Sequence, residues 1–225
     1  TVVHSMGGWL SLAAVLVLGP RLGRFDSDRP PMRGSDLPLA TLGVFLLWFG
    51  WFGFNGGSTL AINNQVPLIL VNTNLGAAAG GVRALAVSWT ALRRPDVTLT
   101  MNGVLGGLVG ITAGCHLVSP GSAIAIGLAA GLVSVLGTRL LERLRVDDVV
   151  GAVPVHGMCG AFGTVAVALF AESAAFAHGR TWQIGIQLLG AAVCFAWAFG
   201  GGLLVLSILN RFFPLRVSAE VEQAG

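Results

Sequence analysis

A six-residue string carrying a histidine occurs twice in this chain. Val3-His4-Ser5-Met6-Gly7-Gly8 and Val155-His156-Gly157-Met158-Cys159-Gly160 both read V-H-x-M-x-G. Each copy places an ionisable side chain inside a long apolar run, where such a group is expensive and usually functional. A single buried histidine is more often a satisfied hydrogen-bonding residue. Two in matched contexts are what an inverted repeat around a mid-membrane path leaves in a sequence. By that symmetry the two side chains meet near the repeat axis. There, neutral imidazoles share a proton between ring nitrogens about 2.7–3.2 Å apart and turn their outer nitrogens to a small polar solute. Two histidines do not close a zinc site, so neither a metal nor another cofactor is expected.

Three further groups carry chemistry. The stretch Trp48-Phe49-Gly50-Trp51-Phe52-Gly53-Phe54-Asn55-Gly56-Gly57-Ser58 ends an apolar run. It reads either as an interfacial aromatic belt or as a vestibule. In a vestibule, aromatic faces attract a small cation and Ser58 supplies an acceptor. In Arg143-Leu144-Arg145-Val146-Asp147-Asp148, the two aspartates read as caps of a following helix and the arginines as topology signals. His116 and His178 lie at or beyond run ends and read as interfacial. Asn72, Asn74 and Asn102 lie within runs and read as hydrogen-bonding between helices. Cys115, Cys159 and Cys194 match no metal or disulfide spacing and read as small packing residues.

The elements that must position these groups are transmembrane helices. Charged residues are 10% and mean hydropathy is +0.80, against about 25% charge in a soluble domain. The expected fold is all-α, a polytopic membrane helix bundle. There is no lysine, so Schiff-base chemistry and a retinal linkage are excluded. Seven apolar runs approach the about 20 residues needed for a span. They are Thr1–Leu18, Leu37–Phe54, Val66–Ala86, Val97–Leu117, Gly121–Leu141, Val149–Ala171 and Trp182–Phe213. Helix starts are signalled by Asp36, Asp96, Ser119 and Thr181. Pairs such as Gly53/Gly57, Gly76/Gly80, Gly103/Gly107, Gly106/Gly110 and Gly127/Gly131 predict close helix packing. The chain opens on Thr1 inside an apolar run, which predicts that the helix holding His4 begins upstream.

Loop charges alternate. Arg21, Arg24, Arg29 and Arg33 fill the first loop; Arg93 and Arg94 the third; Arg139, Arg143 and Arg145 the fifth; Arg211 and Arg216 the tail. Arg83 lies close enough to the third loop to snorkel, which leaves Arg180 as the one arginine of thirteen on the other side. The positive-inside rule makes the arginine-rich side cytoplasmic. The span of His4 then runs inward, that of His156 runs outward, and the C-terminus is cytoplasmic. The net charge of +3 follows from this topology, and no nucleic-acid partner is implied.

Together these strings resemble the ammonium transporter (Amt/Mep/Rh) family. The matching pieces are Thr1-Val2-Val3-His4, Gly50 to Ser58, Val71-Asn72-Thr73, Arg145-Val146-Asp147-Asp148 and Val155 to Gly160. Leu215-Arg216-Val217-Ser218 is similar to the start of the family's cytoplasmic tail. The resemblance covers the whole chain and implies spans five to eleven of eleven, with a membrane domain over 1–216 and the tail from 217 to 225. It implies that His4 and His156 are twin pore histidines. Phe54 becomes one of two stacked phenylalanines gating the outer mouth, Ser58 a residue of the ammonium recruitment site, and Trp51 a neighbour of the pore lining. It implies ammonium or ammonia as substrate and a place in the cell (inner) membrane. It further implies a homotrimer and a cytosolic PII-type regulatory protein as partner. The chain departs from the pattern at Val149 to Pro154, where a second acidic residue is common in the family. A weaker similarity, in Gly19-Pro20-Arg21 and the Asn-Gly-Gly-Ser string, is to members joined to signalling domains.

Two functions follow as expectations. The first is transport of ammonium or ammonia. The second is an ammonium receptor of the same fold, coupled to a signalling domain after Gly225. An intramembrane enzyme is disfavoured, because no acid lies mid-span near either histidine.

Overall fold

The computed structural model describes residues 1–28, 32 and 34–224. Arg29 and Arg33, two of the topology-setting arginines, and Gly225 lie outside the described residues. The described residues form helices joined by turns, with no strand among them. The helices are α1 (His4–Leu18), α2 (Leu37–Gly57), α3 (Val66–Leu92), α4 (Val97–Thr112) and α5 (Pro120–Arg143). A π turn over Val153–Met158 runs into α6 (Cys159–Phe170). α7 (Arg180–Phe195) continues through a second π turn (Ala196–Gly200) into α8 (Gly201–Phe212), and a short α9 (Ala219–Ala224) follows.

Five stretches are long and apolar enough to cross a membrane: α2, α3, α5, the Val153–Phe170 rod and the Arg180–Phe212 rod. α1 and α4 are shorter apolar helices. The run Val97–Leu117 therefore yields a helix only to Thr112. The chain then turns, and Asn72 Nδ2 donates to the carbonyls of Cys115 and Val118 at 2.9 and 2.8 Å. That is the cross-helix bond expected of Asn72. Asn74 is exposed, and Asn102 contributes its backbone carbonyl, which accepts from Ser134 Oγ at 3.2 Å.

Of the four residues expected to start helices α2, α4, α5 and α7, three cap them. Asp36, Asp96 and Ser119 accept from the backbone N–H of Leu39, Leu99 and Ser122. Thr181 does not cap. α7 begins at Arg180, two residues earlier than expected, behind Gly179, whose φ of 80° a side chain rarely adopts. Arg180 reaches back to the Ala168, Leu169 and Ala171 carbonyls at the end of α6. Its charge thus serves that helix's carbonyl terminus.

α3, α4 and α5 form the tight centre. A Cβ on Gly80, Gly107, Gly127 or Gly131 would collide with a neighbouring backbone, so these glycines let the helix axes approach closely. Gly53 and Gly57 meet nothing within 4 Å. No helix of this chain packs on that pair among the described residues. α2 and the Arg180–Phe212 rod are largely exposed along their lengths.

Candidate functional site: a histidine pair under an aromatic cover

The ends of the helices fix the direction of each histidine-bearing segment. Arg21, just past the end of α1, makes a two-armed contact with Asp147 at 2.8 and 2.9 Å and donates its backbone N–H to the same carboxylate. Arg24 adds contacts to Asp147 and to Glu142 of α5. The carboxylate of Asp147 is 3% exposed. Its bonds to Arg21 hold its pKa below the usual aspartate value. Asp147 is therefore not a helix cap, as its place before a helix suggests. Two arginines compete for it, and charge-assisted pairing outweighs a neutral backbone contact. Asp148 alone caps, accepting from the N–H groups of Ala152 and Val153. α1 thus ends, and the His156 segment begins, at the same arginine-rich end, so the two run antiparallel.

The histidines lie side by side, with ring centroids 5.5 Å apart and planes 20° from parallel. The backbones around them pack reciprocally. Gly8, four residues after His4, lies against His156 and Gly157; Gly160, four residues after His156, lies against His4 and Ser5. Ser5 Oγ donates to the Gly157 carbonyl at 3.2 Å. This exchange of equivalent positions is the local two-fold relation that the doubled string predicts.

The expected hydrogen bond between ring nitrogens is absent among the described residues, and His4 Nε2, buried, has no partner. The reason is a competing neighbour. His4 stacks on Trp51 at 5.0 Å and 14°, so the indole face sets the imidazole plane. Phe54 completes the cover, 5.5 Å from His4 and 5.8 Å from Trp51. Trp51 is 7% exposed and Phe54 43%. Phe54 therefore stands at the edge of the site, between the histidines and the end of α2.

Ser58 lies one turn beyond Phe54, exposed, and donates to the Phe54 carbonyl at 2.6 Å. It lines a polar recess of about 340 Å³ with Asn55, Thr59, Gln65, Thr112 and His116. This recess lies at the end opposite the Arg21–Asp147 cluster, because α2 and α4 both finish there. His178 packs on Trp182 at 5.9 Å, outside the site. Cys115 and Cys159 are buried and Cys194 is half-buried, all three as free thiols. No cluster of metal-ligating side chains occurs among the described residues.

Sequence reasoning missed three parts of this arrangement: the serine that braces the His156 turn (Ser5), the acceptor of the Trp51 indole (Thr112), and the π geometry of the His156 segment. Only Ser5 leaves a signal, since it neighbours His4 within the doubled string.

A profile described as the Ammonium Transporter Family matches residues 1–225. The ammonium transporter Amt2 of Archaeoglobus fulgidus is 46% identical over 239 residues, covering 100% of this chain and 51% of that protein. A putative ammonium transporter of Synechocystis is 47% identical over 232 residues, with the same coverage of 100% and 51%. The chain spans about half the length of these curated relatives. Among solved structures, one titled Sensor Amt Protein superposes with a TM-score of 0.95 at 43% identity, over 99% of this chain and 56% of that one. Candida albicans Mep2 superposes with a TM-score of 0.88 at 29% identity, over 97% and 51%. The chain belongs to the ammonium transporter family.

Proposed function

We propose that the protein carrying this chain moves ammonium or ammonia across the cell (inner) membrane through a path that passes His4 and His156. The observation that carries this reading is the histidine pair itself, covered on one side by Trp51 and Phe54. An intact ammonium ion entering a dry apolar path loses its hydration at a cost of many kcal/mol. In this reading the ion is recruited at the Phe54/Ser58 mouth and gives up its proton there. Ammonia, small and neutral, then passes the imidazoles, which offer it ring nitrogens to bond. The proton follows by relay through the pair or stays outside. The arginine-rich end faces the cytoplasm, so the C-terminus is cytoplasmic. A homotrimer and a cytosolic PII-type partner complete the proposal, resting on the family resemblance alone. The test is ammonium-driven current in proteoliposomes holding the full-length protein. Replacing both histidines with alanine should abolish it; an unchanged current with the fold intact refutes the role.

A second reading, an ammonium receptor, draws on the tail. Arg216 donates to the Leu18 carbonyl at the end of α1 and pairs with Glu222, which accepts from the Leu22 N–H. α9 is thereby fastened to the helix that carries His4, a route by which occupancy of the site could be read outside the bilayer. Spin labels on α9 and on the loop after α1 distinguish the readings. A receptor changes their separation on adding ammonium, whereas a transporter without signalling does not.

A further inference from the structure

We infer that Thr112 is a positioning residue for the proposed path: its hydroxyl holds the Trp51 indole in the plane that faces His4. The inference rests on the transport reading and adds to it a residue outside the histidine and aromatic set. Thr112 ends α4, and its Oγ1 donates to the Leu108 carbonyl at 2.7 Å. A hydroxyl has one proton, so its remaining capacity toward Trp51 is as an acceptor. The Trp51 Nε1–H, which can only donate, meets that acceptor at 2.9 Å. The direction of both bonds is fixed by chemistry, in a chain α4 backbone–Thr112–Trp51–His4.

This bond decides an orientation. Trp51 lies within 14° of the His4 plane and is almost wholly buried. Rotation of the indole about its side-chain torsions would leave its N–H unpaired, which in a buried place costs about as much as a lost hydrogen bond or more. Two other tryptophans show the contrast. Trp9 and Trp48 each have a buried Nε1 with no acceptor, so neither indole is fixed this way. With its plane fixed, Trp51 holds its face against the His4 ring and so keeps that imidazole in place beside His156. Thr112 also lines the recess that holds Ser58, so one side chain connects the mouth and the histidine site.

The test uses full-length protein with two readouts. In proteoliposomes, Thr112→Val should lower ammonium flux by about tenfold, the loss expected for an unpaired buried donor, while Thr112→Ser, which keeps the acceptor, should stay within about twofold of native. In a Trp51→Phe background, Thr112→Val should change flux by less than about twofold, because the partner is already gone. In solid-state NMR with labelled indole and imidazole nitrogens, the Trp51 signal is assigned by its loss in Trp51→Phe. Thr112→Val should shift that signal and the His4 ring signals; Thr112→Ser should not. Equal losses of flux with and without the indole, or unmoved Trp51 and His4 signals in Thr112→Val, overturn the inference. Native protein without flux sinks the transport reading instead, and the NMR comparison still decides whether Thr112 positions Trp51.

Discussion

Gly8 of α1 lies directly against the backbone nitrogen and Cα of Gly157, with no room for a side chain on Gly8. The contact brings the His4 helix and the His156 turn to backbone distance. Gly7, its neighbour in sequence, meets nothing within 4 Å. Gly8→Ala should therefore push the histidine segments apart, lowering stability by about 1–3 kcal/mol and flux with it. Gly7→Ala should be neutral or slightly stabilising. Thermal melts of the two variants in detergent check this; equal melting temperatures contradict it.

Asp147 yields a pH prediction with a definite sign. Its pKa is lowered by Arg21, so the folded state favours the ionised form. The stabilisation is fully present above the ordinary aspartate pKa of about 3.9 and is lost as pH falls through the lower folded value. Arg21 is partly exposed, which weakens the pair, so Asp147→Asn should cost about 1–3 kcal/mol at neutral pH. The difference between native and variant should shrink under strong acid. A gap independent of pH removes the assignment.

Phe54 and Phe49 share a helix but differ in surroundings. Phe54 touches the His4 and Trp51 rings, whereas Phe49 is 76% exposed with no ring partner among the described residues. Phe54→Ala should change ammonium uptake several-fold more than Phe49→Ala in the full-length protein. Similar effects from both would return the aromatic stretch to the role of an interfacial belt.

Asn72 adds two side-chain bonds to the turn that follows α4. Asn72→Ala leaves the Cys115 and Val118 carbonyls without that donor in a buried place, at a cost of about 1–3 kcal/mol. The effect should appear as lower thermal stability and as faster amide exchange in the turn that follows Thr112. Unaltered exchange there counts against the assignment.

Features written in residue type and local spacing were legible before the structure was known. The doubled histidine string foretold two segments meeting at their imidazoles, and the alternating loop charges foretold that they run antiparallel. Asp36, Asp96 and Ser119 announced their helices because a cap acts within three residues. What escaped depends on partners far along the chain. Asp147 looked like a cap, but Arg21, 126 residues away, claims it. The His4 ring was expected to bond His156, but the Trp51 face sets its plane. Thr112 left no mark at all, since a threonine at the end of an apolar run has no distinguishing neighbours.

The π turn over Val153–Met158 gives this rod one residue of slack. An α-helix advances about 100° per residue, and an i→i+5 turn takes up one residue more than an α turn. A residue lost from regular helix rotates the two flanking parts by about 100° relative to each other. A residue lost where the turn tightens to i→i+4 bonding is absorbed, and the segments before and after it keep their facing. The turn is thus the place where the rod tolerates a change of chain length without turning its side chains to new neighbours.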